Sequence, residues 1–437
     1  MTKADSIKYL IIGNSAGGVG AVEAIREVDK VGTITIVSDE SYPAYSRPLI
    51  SEYLVKKCSL QGMLYRPPDF YEKNNTQAIL GQKVAELNID KQTIKLKDGR
   101  IIAWEKLLLA TGGLPIVPEM EGIDLQGVFT FSTLDDAKAI DQFLNNHRKG
   151  KAVVIGGGLI GMSVTDALVK RGIDVTVVEM KERILNTILD EEASALEEKA
   201  LKQSGVDIIT GHTVAKINSY LPGEVTGVYL DDSRTMSCEM VVIAIGVQPR
   251  LELVSDSGIE TNRGIVVDRH MATSKPDVYA CGDVAEAYDF VYGENRVVPI
   301  WSNAYIGGRI AGFNMAGVVT EYQGGTAMNA MGYFGLAVVS AGMVTPPDDS
   351  YEILCERYNH AYKKVVLKNG LVVGMVFTGD VEKSGIVFSL MKGRVNVEGF
   401  KQDLVADDFG LAALPEEIWR PHLAIPPSVE SRIALEE

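Results

Sequence analysis

The spacing of hydrophobic and polar residues follows the same order in two places, at the start of the chain and again near residue 150. Two runs without charged residues, 9–12 and 152–155, each lead into a glycine-rich turn. After the first turn, apolar residues recur at helical spacing over residues 20–28, and a second β-branched run follows at 33–37. After the second turn, the matching strand is predicted at 175–178. Strand, helix and strand in this order are typical of the βαβ unit of a parallel sheet, so the pattern predicts an α/β fold with two such units.

The turn after the second run carries three glycines in the spacing G-x-G-x-x-G. The first glycine allows a tight turn, the second lets a pyrophosphate approach bare backbone, and the third lets the helix pack on the strand. Glu179 ends the next strand, 18 residues after Gly161, where a carboxylate binds a ribose 2′-hydroxyl and repels a 2′-phosphate. The spacing therefore predicts an NAD(H) site that prefers NADH over NADPH. The residues predicted to bind this nucleotide are Gly156, Gly158, Leu159, Ile160, Gly161 and Glu179.

The first turn is a variant of the same pattern, because Ser15 stands where the middle glycine is expected. Serine is small, and its hydroxyl can donate to a phosphate, so the change is compatible with nucleotide binding. The strand that follows ends in two acids, of which Asp39 is predicted to bind the ribose, with Glu40 as the alternative. The residues predicted at the dinucleotide site of the first turn are Gly13, Ser15, Ala16, Gly17, Gly18, Asp39 and Glu40.

Two dinucleotides held face to face by one chain can pass a hydride. Three further segments, 107–113, 242–249 and 278–283, look like strands and turns of one known family. From about residue 7 to residue 320, the chain resembles the FAD/NAD(P)H-dependent pyridine nucleotide-disulfide oxidoreductase superfamily. The resemblance implies FAD in the first unit and NAD(H) in the second. It also implies an FAD-dependent NAD(P)H oxidoreductase that passes hydride from NADH to FAD and then electrons to an acceptor.

Residues 42–51, 299–304 and 308–317 are similar to segments of the ferredoxin, rubredoxin and nitrite reductases of that superfamily. The chain also resembles its NADH oxidase-like members that lack the redox cysteine. We expect a helix beginning near Ser302 to direct its amide groups at the flavin. Arg47 is expected to pair with the FAD phosphates or with a neighbouring carboxylate, and a surface salt bridge is the alternative. The further residues implied in FAD binding are Arg47, Pro48, Ala110, Thr111, Gly112, Gly246, Gly282, Asp283, Trp301, Ser302 and Asn303.

The domain organisation follows from the same segments. We expect a discontinuous FAD-binding domain at 1–118 and 247–325, with an NAD-binding domain at 119–246 between its halves. Residues 326–437 change to short strands and a hairpin turn at Asn369-Gly370, which predicts a C-terminal α+β domain. In relatives this domain caps the flavin and forms the dimer contact, so a homodimer is expected.

Two positions depart from the related reductases. These often carry a lysine where this chain has Glu52 and a glutamate where it has Ser163, as a pair beside the flavin. The redox cysteine of the disulfide reductases is also missing, and Cys58 lies beyond its position. One alternative is a disulfide or persulfide reductase in which Cys58 takes the place of the missing redox cysteine. Others are a flavin monooxygenase and a regulatory or signalling flavoprotein with slow turnover. No catalytic acid or base is assigned.

Composition narrows the choice of partners. The 437 residues include 43 lysines and arginines and 58 acids, for a net charge of −15, which disfavours nucleic acid. The charge also disfavours a strongly acidic electron carrier unless a local basic patch exists. The acceptor therefore stays open among a small redox protein, dioxygen, a disulfide or persulfide, and a quinone.

The remaining sequence features bear on location, metals and surface charge. The chain has neither a run of 18 apolar residues nor a signal peptide, so no membrane association and a cytoplasmic location are expected. The four cysteines are not spaced for zinc or an iron–sulfur cluster, and no metal is predicted. The helix predicted at 191–203 is amphipathic, and its charged residues are predicted to face solvent.

Overall fold

The computed structural model describes residues 6–146, 150–220, 223–358 and 361–423. The described residues form two compact units. The first runs up to Met328 and includes Tyr333–Gly335, and the second holds Asn329–Gly332 and the described residues from Leu336 onward. Within this described part, no helix is both long and apolar enough to cross a membrane.

Strands and helices alternate through most of the first unit, and strands dominate the second. The strands are β1 (Ile7–Ile12), β2 (Ile34–Val37), β3 (Thr76–Ile79), β4 (Val84–Asn88), β5 (Thr93–Leu96), β6 (Ile101–Leu109), β7 (Gly113–Pro115), β8 (Val128–Thr130), β9 (Lys151–Ile155), β10 (Asp174–Glu179), β11 (Asp207–Thr210), β12 (Val214–Asn218), β13 (Gly227–Leu230), β14 (Thr235–Met236), β15 (Met240–Ile243), β16 (Val247–Pro249), β17 (Ile265–Val266), β18 (Val278–Ala280), β19 (Ala285–Asp289), β20 (Glu294–Arg296), β21 (Met328–Tyr333), β22 (Leu336–Gly342), β23 (Glu352–Tyr358), β24 (Ala361–Lys368) and β25 (Leu371–Thr378). The helices are α1 (Ala16–Val28), α2 (Ile50–Leu54), α3 (Leu60–Met63), α4 (Phe70–Lys73), α5 (Leu134–Asn146), α6 (Leu159–Lys170), α7 (Glu191–Gln203), α8 (Trp301–Met315), α9 (Ser384–Lys392) and α10 (Glu416–Leu423).

The sheet that contains β1 has the order β3-β2-β1-β6-β5-β4, and β18 also pairs with β6. The pairs β1–β2, β1–β6, β2–β3 and β6–β18 are parallel. Leu10 and Ile11 of β1 point to opposite faces and are both fully buried, as expected for a strand covered on both sides. Helix α1 begins at Ala16, earlier than the predicted residue 20, so Gly17 and Gly18 of the first turn lie within helical backbone, whereas Gly13 precedes the helix.

The sheet that contains β9 is parallel, with the order β11-β10-β9-β15-β8. It repeats the βαβ arrangement of the first sheet, with α6 between β9 and β10. Strands β7 and β16 form a separate antiparallel pair, in which Gly113 lies opposite Pro249. Strand β7 follows β6 of the first sheet, and β16 follows β15 of the second. Their pairing therefore joins the two chain segments that run between the sheets.

The second unit is built on a sheet with the order β21-β22-β25-β24-β23, in which the pairs β22–β25, β24–β25 and β23–β24 are antiparallel. Asn369 and Gly370 have φ angles of 52° and 73° and connect β24 to β25, as the hairpin prediction requires. Helix α9 follows this sheet. The first sheet also carries the antiparallel pairs β4–β5 and β5–β6. The two sheets built on parallel βαβ units and this α+β unit confirm the predicted fold class.

Candidate functional site

The first glycine turn connects β1 to α1 and leaves no space for side chains at two positions. Gly13 has a φ of 120°, and a Cβ there would overlap the carbonyl oxygen of Ala110. A Cβ on Gly18 would overlap the carbonyl oxygen of Gly13. Ser15 precedes α1, and its hydroxyl bonds none of the first amides of that helix. The amides of Ala16 and its neighbours can therefore donate to an anionic ligand.

The start of α8 lies beside the start of α1 because the two helices pack through glycines. A Cβ on Gly308 would overlap the carbonyl oxygen of Gly17, and one on Gly312 would lie 2.6 Å from that of Ala21. The carbonyl oxygen of Ala304 is also close to Gly17. The predicted residues at the start of α8 are therefore brought to the first turn. Sequence reasoning missed this contact, although the four-residue spacing of the α8 glycines was a usable signal.

The predicted residues at the start of α8 have few partners of their own. Ile300 precedes the helix and offers no side-chain oxygen to its first amides. Trp301 packs its ring edge-on against Tyr65, with the ring centroids 5.0 Å apart. The Asn303 side chain donates to the carbonyl oxygen of Thr326 at 3.1 Å. The amides of the first turn, which includes Ser302, are therefore left to a ligand.

The two candidate ribose acids of the first unit have different surroundings. Asp39 lines a cavity of about 160 Å³ together with Gly13 and Thr111, and its carboxylate is 2.6 Å from the Arg250 guanidinium. Glu40 is absent from the cavity wall. Its carboxylate accepts a 2.5 Å hydrogen bond from the Tyr45 hydroxyl and another from the Arg47 guanidinium. This arrangement favours Asp39 over Glu40 as the ribose acid.

Arg47 joins several of the predicted FAD residues. Its guanidinium bonds Glu40 and also donates to the carbonyl oxygen of Ser132 at 3.2 Å. Burial lowers the pKa of Arg47, but Glu40 and Tyr45 raise it more, so it stays protonated. Burial raises the pKa of Asp283, and the nearby charge of Arg47 opposes that shift. The charges of Arg47 and Asp283 are therefore close enough to interact.

The remaining predicted residues lie in turns and short connections outside the sheet strands. Pro48 follows Arg47 in a short 3₁₀ turn, and Gly282 begins a similar turn with a φ of 75°. Gly112 and Gly246 have φ angles of 72° and 126° and flank the β7–β16 pair. Thr111 donates its hydroxyl to the carbonyl oxygen of Arg250 at 3.4 Å. Glycine is favoured at these positive φ angles, which other residues rarely adopt.

The second glycine turn repeats the geometry of the first. Gly156 has a φ of 107°, and a Cβ there would overlap the carbonyl oxygen of Ala244. A Cβ on Gly161 would overlap the carbonyl oxygen of Gly156. Gly158 precedes α6, and its Cβ position is open to solvent. The amides of Leu159 and Ile160 begin that helix, so the turn offers bare backbone and a helix N-terminus to a pyrophosphate.

The Glu179 carboxylate accepts a hydrogen bond from the second glycine turn, a contact that the sequence did not predict. One carboxylate oxygen accepts from the amide of Gly157 at 2.6 Å, and the other accepts from the amide of Lys181 at 2.8 Å. The residue is only 8% exposed. Glu179 therefore fixes the shape of the turn, and its role as the ribose-binding acid stays a prediction.

Ser163 and Glu52, the two positions that differ from related reductases, each interact with a nearby side chain. The hydroxyl of Ser163, on α6, shares a hydrogen bond with that of Tyr333, whose pKa is raised by burial. Glu52 forms an exposed ion pair with Lys57 at 3.4 Å. Cys58 is a free thiol, and burial followed by the charge of Glu52 raises its pKa. A raised thiol pKa lowers the thiolate fraction and therefore the reactivity.

The prediction that the charged residues of the 191–203 helix face solvent was wrong for Glu197. This side chain is fully buried, and neither carboxylate oxygen has a hydrogen-bond partner among the residues that the structure describes. Burial, followed by the charge of Asp166 on α6, raises the pKa of Glu197 to about 8. The Thr165 hydroxyl beside Asp166 on α6 is also buried, with no partner in the described ranges.

Comparison with known proteins extends over both units. Residues 7–308 match the pyridine nucleotide-disulphide oxidoreductase family, and residues 328–395 match the rubredoxin NAD+ reductase C-terminal domain. The NADH-dependent phenylglyoxylate dehydrogenase subunit epsilon of Aromatoleum evansii is 31% identical over 419 residues, which cover 94% of this chain and 98% of that protein.

Two further relatives differ in length. The nitrite reductase of Bacillus subtilis (strain 168) is 29% identical over 89% of this chain, which spans only 48% of that protein. A chain in the crystal structure of the covalent putidaredoxin reductase–putidaredoxin complex superposes with a TM-score of 0.85 at 26% identity. That superposition covers 95% of this chain and 99% of the other.

Proposed function

Because the chain belongs to the pyridine nucleotide-disulphide oxidoreductase family, we propose that its first glycine turn holds FAD and its second holds NAD(H). FAD and NAD(H) are the cofactors of this family, and the chain is an FAD-dependent NAD(P)H oxidoreductase. One observation carries the assignment to the two turns. Each turn follows the first strand of a parallel βαβ unit, and each contains glycines at which a Cβ would overlap the opposing backbone.

The residues of the first turn fit a flavin dinucleotide. The unbonded amides at the start of α1 suit its pyrophosphate, and the cavity beside Asp39 suits its adenosine. FAD, when bound, supplies the ring that accepts a hydride. The start of α8 carries partial positive charge that stabilises negative charge placed before Trp301. Arg47 adds a full positive charge beside Asp283. Alignment and exclusion of water are the tasks left to the protein, since no side-chain acid is needed.

The residues of the second turn fit NADH. Open space at Gly158 lets a pyrophosphate reach the amides at the start of α6. The buried Glu179 carboxylate supports the preference for NADH, because a 2′-phosphate placed beside it meets a negative charge. This preference is the part of the proposal most directly open to kinetic measurement.

We propose a small redox protein as the acceptor. The matched C-terminal domain is named for rubredoxin reductase, and the structural neighbour was crystallised with putidaredoxin, which both support this choice. Dioxygen is the second candidate. The raised pKa of Cys58 supports neither disulfide nor persulfide reduction through that thiol.

We also propose the domain boundaries, the oligomeric state and the location of the protein. The FAD domain would comprise 1–118 and 247–325, and the NAD domain 119–246, which the β7–β16 pairing at their junction supports. The C-terminal domain at 326–437 would form the contact of a homodimer. A cytoplasmic location is proposed because the reductant, NADH, must be supplied there.

The test is an anaerobic titration of the purified, FAD-supplemented protein with NADH. We expect one bound FAD per chain and bleaching of its visible absorbance by one equivalent of NADH, with NADPH much slower. The reduced protein is then mixed separately with rubredoxin, with dioxygen and with coenzyme A disulfide, and reoxidation is followed. Rapid reoxidation by rubredoxin supports the proposed acceptor. A protein that binds no FAD, or bound FAD that NADH does not bleach, refutes the proposed function.

A further inference from the structure

Arg250 connects three segments of the first unit at the edge of the cavity beside Asp39. It follows strand β16, and its backbone amide donates to the carbonyl oxygen of Gly112 at 3.0 Å. Its own carbonyl oxygen accepts from the Thr111 hydroxyl, and its guanidinium is 2.6 Å from the Asp39 carboxylate. The hydrogen bonds of the Arg250 amide and carbonyl groups hold its backbone in place and so limit where its guanidinium can lie.

The charge of Asp39 needs a counterion if this cavity takes a dinucleotide. The carboxylate lies on the same cavity wall as Gly13, where the turn presents amides to a pyrophosphate. An unpaired carboxylate there would repel the phosphates, and the chain as a whole already carries a net charge of −15. The ion pair is about one-third exposed at both partners, so it is accessible from the cavity rather than sealed in the core.

We propose that Arg250 is a positioning residue for FAD, which neutralises Asp39 and orients its carboxylate toward the adenosine ribose. This inference rests on the proposed function, since it assigns the cavity to FAD. Arg250 acts through Asp39. It leaves the ribose hydrogen bonds to the carboxylate, whose second oxygen stays available when the first accepts from the guanidinium. Removing the guanidinium therefore weakens FAD binding and leaves the NAD(H) turn unchanged.

The experiment measures the FAD dissociation constant of the deflavinated full-length protein by flavin fluorescence, together with the rate of FAD release. We expect Arg250→Ala to weaken FAD binding about tenfold, the scale of a hydrogen bond between charged groups. Arg250→Lys should restore part of the loss because it keeps the charge without the planar donor pair. The matched control is Arg100→Ala, which removes an exposed ion pair with Asp98 between two residues that do not line the cavity, and it should leave FAD affinity unchanged.

The double variant separates positioning from direct contact. In an Asp39→Asn background, Arg250→Ala should cause no further tenfold loss, because the partner it positions has lost its charge. A second tenfold loss there would overturn the inference, as would unchanged affinity in Arg250→Ala itself. If Arg250→Ala does not fold, judged by its circular dichroism, Arg250→Gln replaces it in the same cycle. Failure of the wild-type protein to bind FAD would instead refute the proposed function.

Discussion

Replacement of Glu197 by glutamine should stabilise the protein, and the gain should increase with pH. The Glu197 side chain is fully buried on α7, and both of its oxygens lack partners in the described part of the chain. The charge near it is that of Asp166, which is paired with Lys170, and the Tyr333 phenol is a neutral neighbour because its pKa is raised above its usual value of 10. Glutamine keeps the shape of the side chain and removes its titration, so the comparison isolates the cost of ionising a buried carboxyl.

The size of the gain follows from the pKa of Glu197. Burial and Asp166 raise that pKa from 4.5 to about 8, so between these values the folded protein holds a proton that the unfolded chain has lost. The free energy of unfolding of the wild type therefore falls as pH rises through this window. Each pKa unit corresponds to about 1.4 kcal/mol, so the loss approaches roughly 3 kcal/mol at pH 7 as an upper limit. The glutamine variant should escape this loss, and its melting temperature at pH 8 should be roughly 5 °C higher.

Thermal unfolding followed by circular dichroism at pH 5, 6.5 and 8 tests this reasoning. The difference between Glu197→Gln and the wild type should be largest at pH 8 and shrink toward pH 5. The matched control is Glu198→Gln, at the next position of the same helix, where the carboxylate pairs with Lys202 at 3.6 Å near the surface. That variant should show no such trend. A constant difference across the pH range, or a less stable Glu197→Gln protein at pH 8, would contradict a buried, protonated Glu197.

Three further predictions concern the cofactor turns. Glu179→Ala should raise the Michaelis constant for NADH at least about tenfold and reduce the preference for NADH over NADPH. It removes a negative charge and two hydrogen bonds from backbone amides. Steady-state kinetics with both nucleotides checks this. Cys281 should resist alkylation in the native protein while the exposed Cys355 reacts, because burial raises the Cys281 pKa to about 12; mass spectrometry after iodoacetamide treatment measures both. Gly308→Ala should weaken FAD retention, since its Cβ would force α8 away from Gly17, and absorbance after gel filtration reports the loss.

The elements that the sequence predicted well are those specified by neighbouring residues. The turns at Gly13 and Gly156 have the positive φ angles that the spacing required, since a strand, a glycine turn and a helix are local features. The hairpin at Asn369-Gly370 is local in the same sense. The start of α1 was misplaced because glycines are weak helix formers, and close packing against α8 overrides that preference.

The contacts that the sequence did not predict depend on residues far apart or on burial. Asp39 and Arg250 are separated by 211 positions, and neither residue type indicates the other. Glu197 lies among several glutamates on an amphipathic helix, where a solvent-facing side chain is the ordinary expectation. Only the packing of α7 in the folded unit buries it. Residue type alone also gave no sign that the Glu179 carboxylate would bond the turn it follows.

The two proposed ribose-binding acids, Asp39 and Glu179, therefore depend on different parts of the chain. Glu179 is held by the amides of Gly157 and Lys181, all within one βαβ unit, so the position of its carboxylate does not depend on strand β16. Asp39 is held by Arg250, which follows strand β16, so its position depends on a contact between distant segments of the first unit. Substitutions in the β7–β16 connection should consequently affect FAD binding before they affect NADH binding, although the connection lies outside both glycine turns.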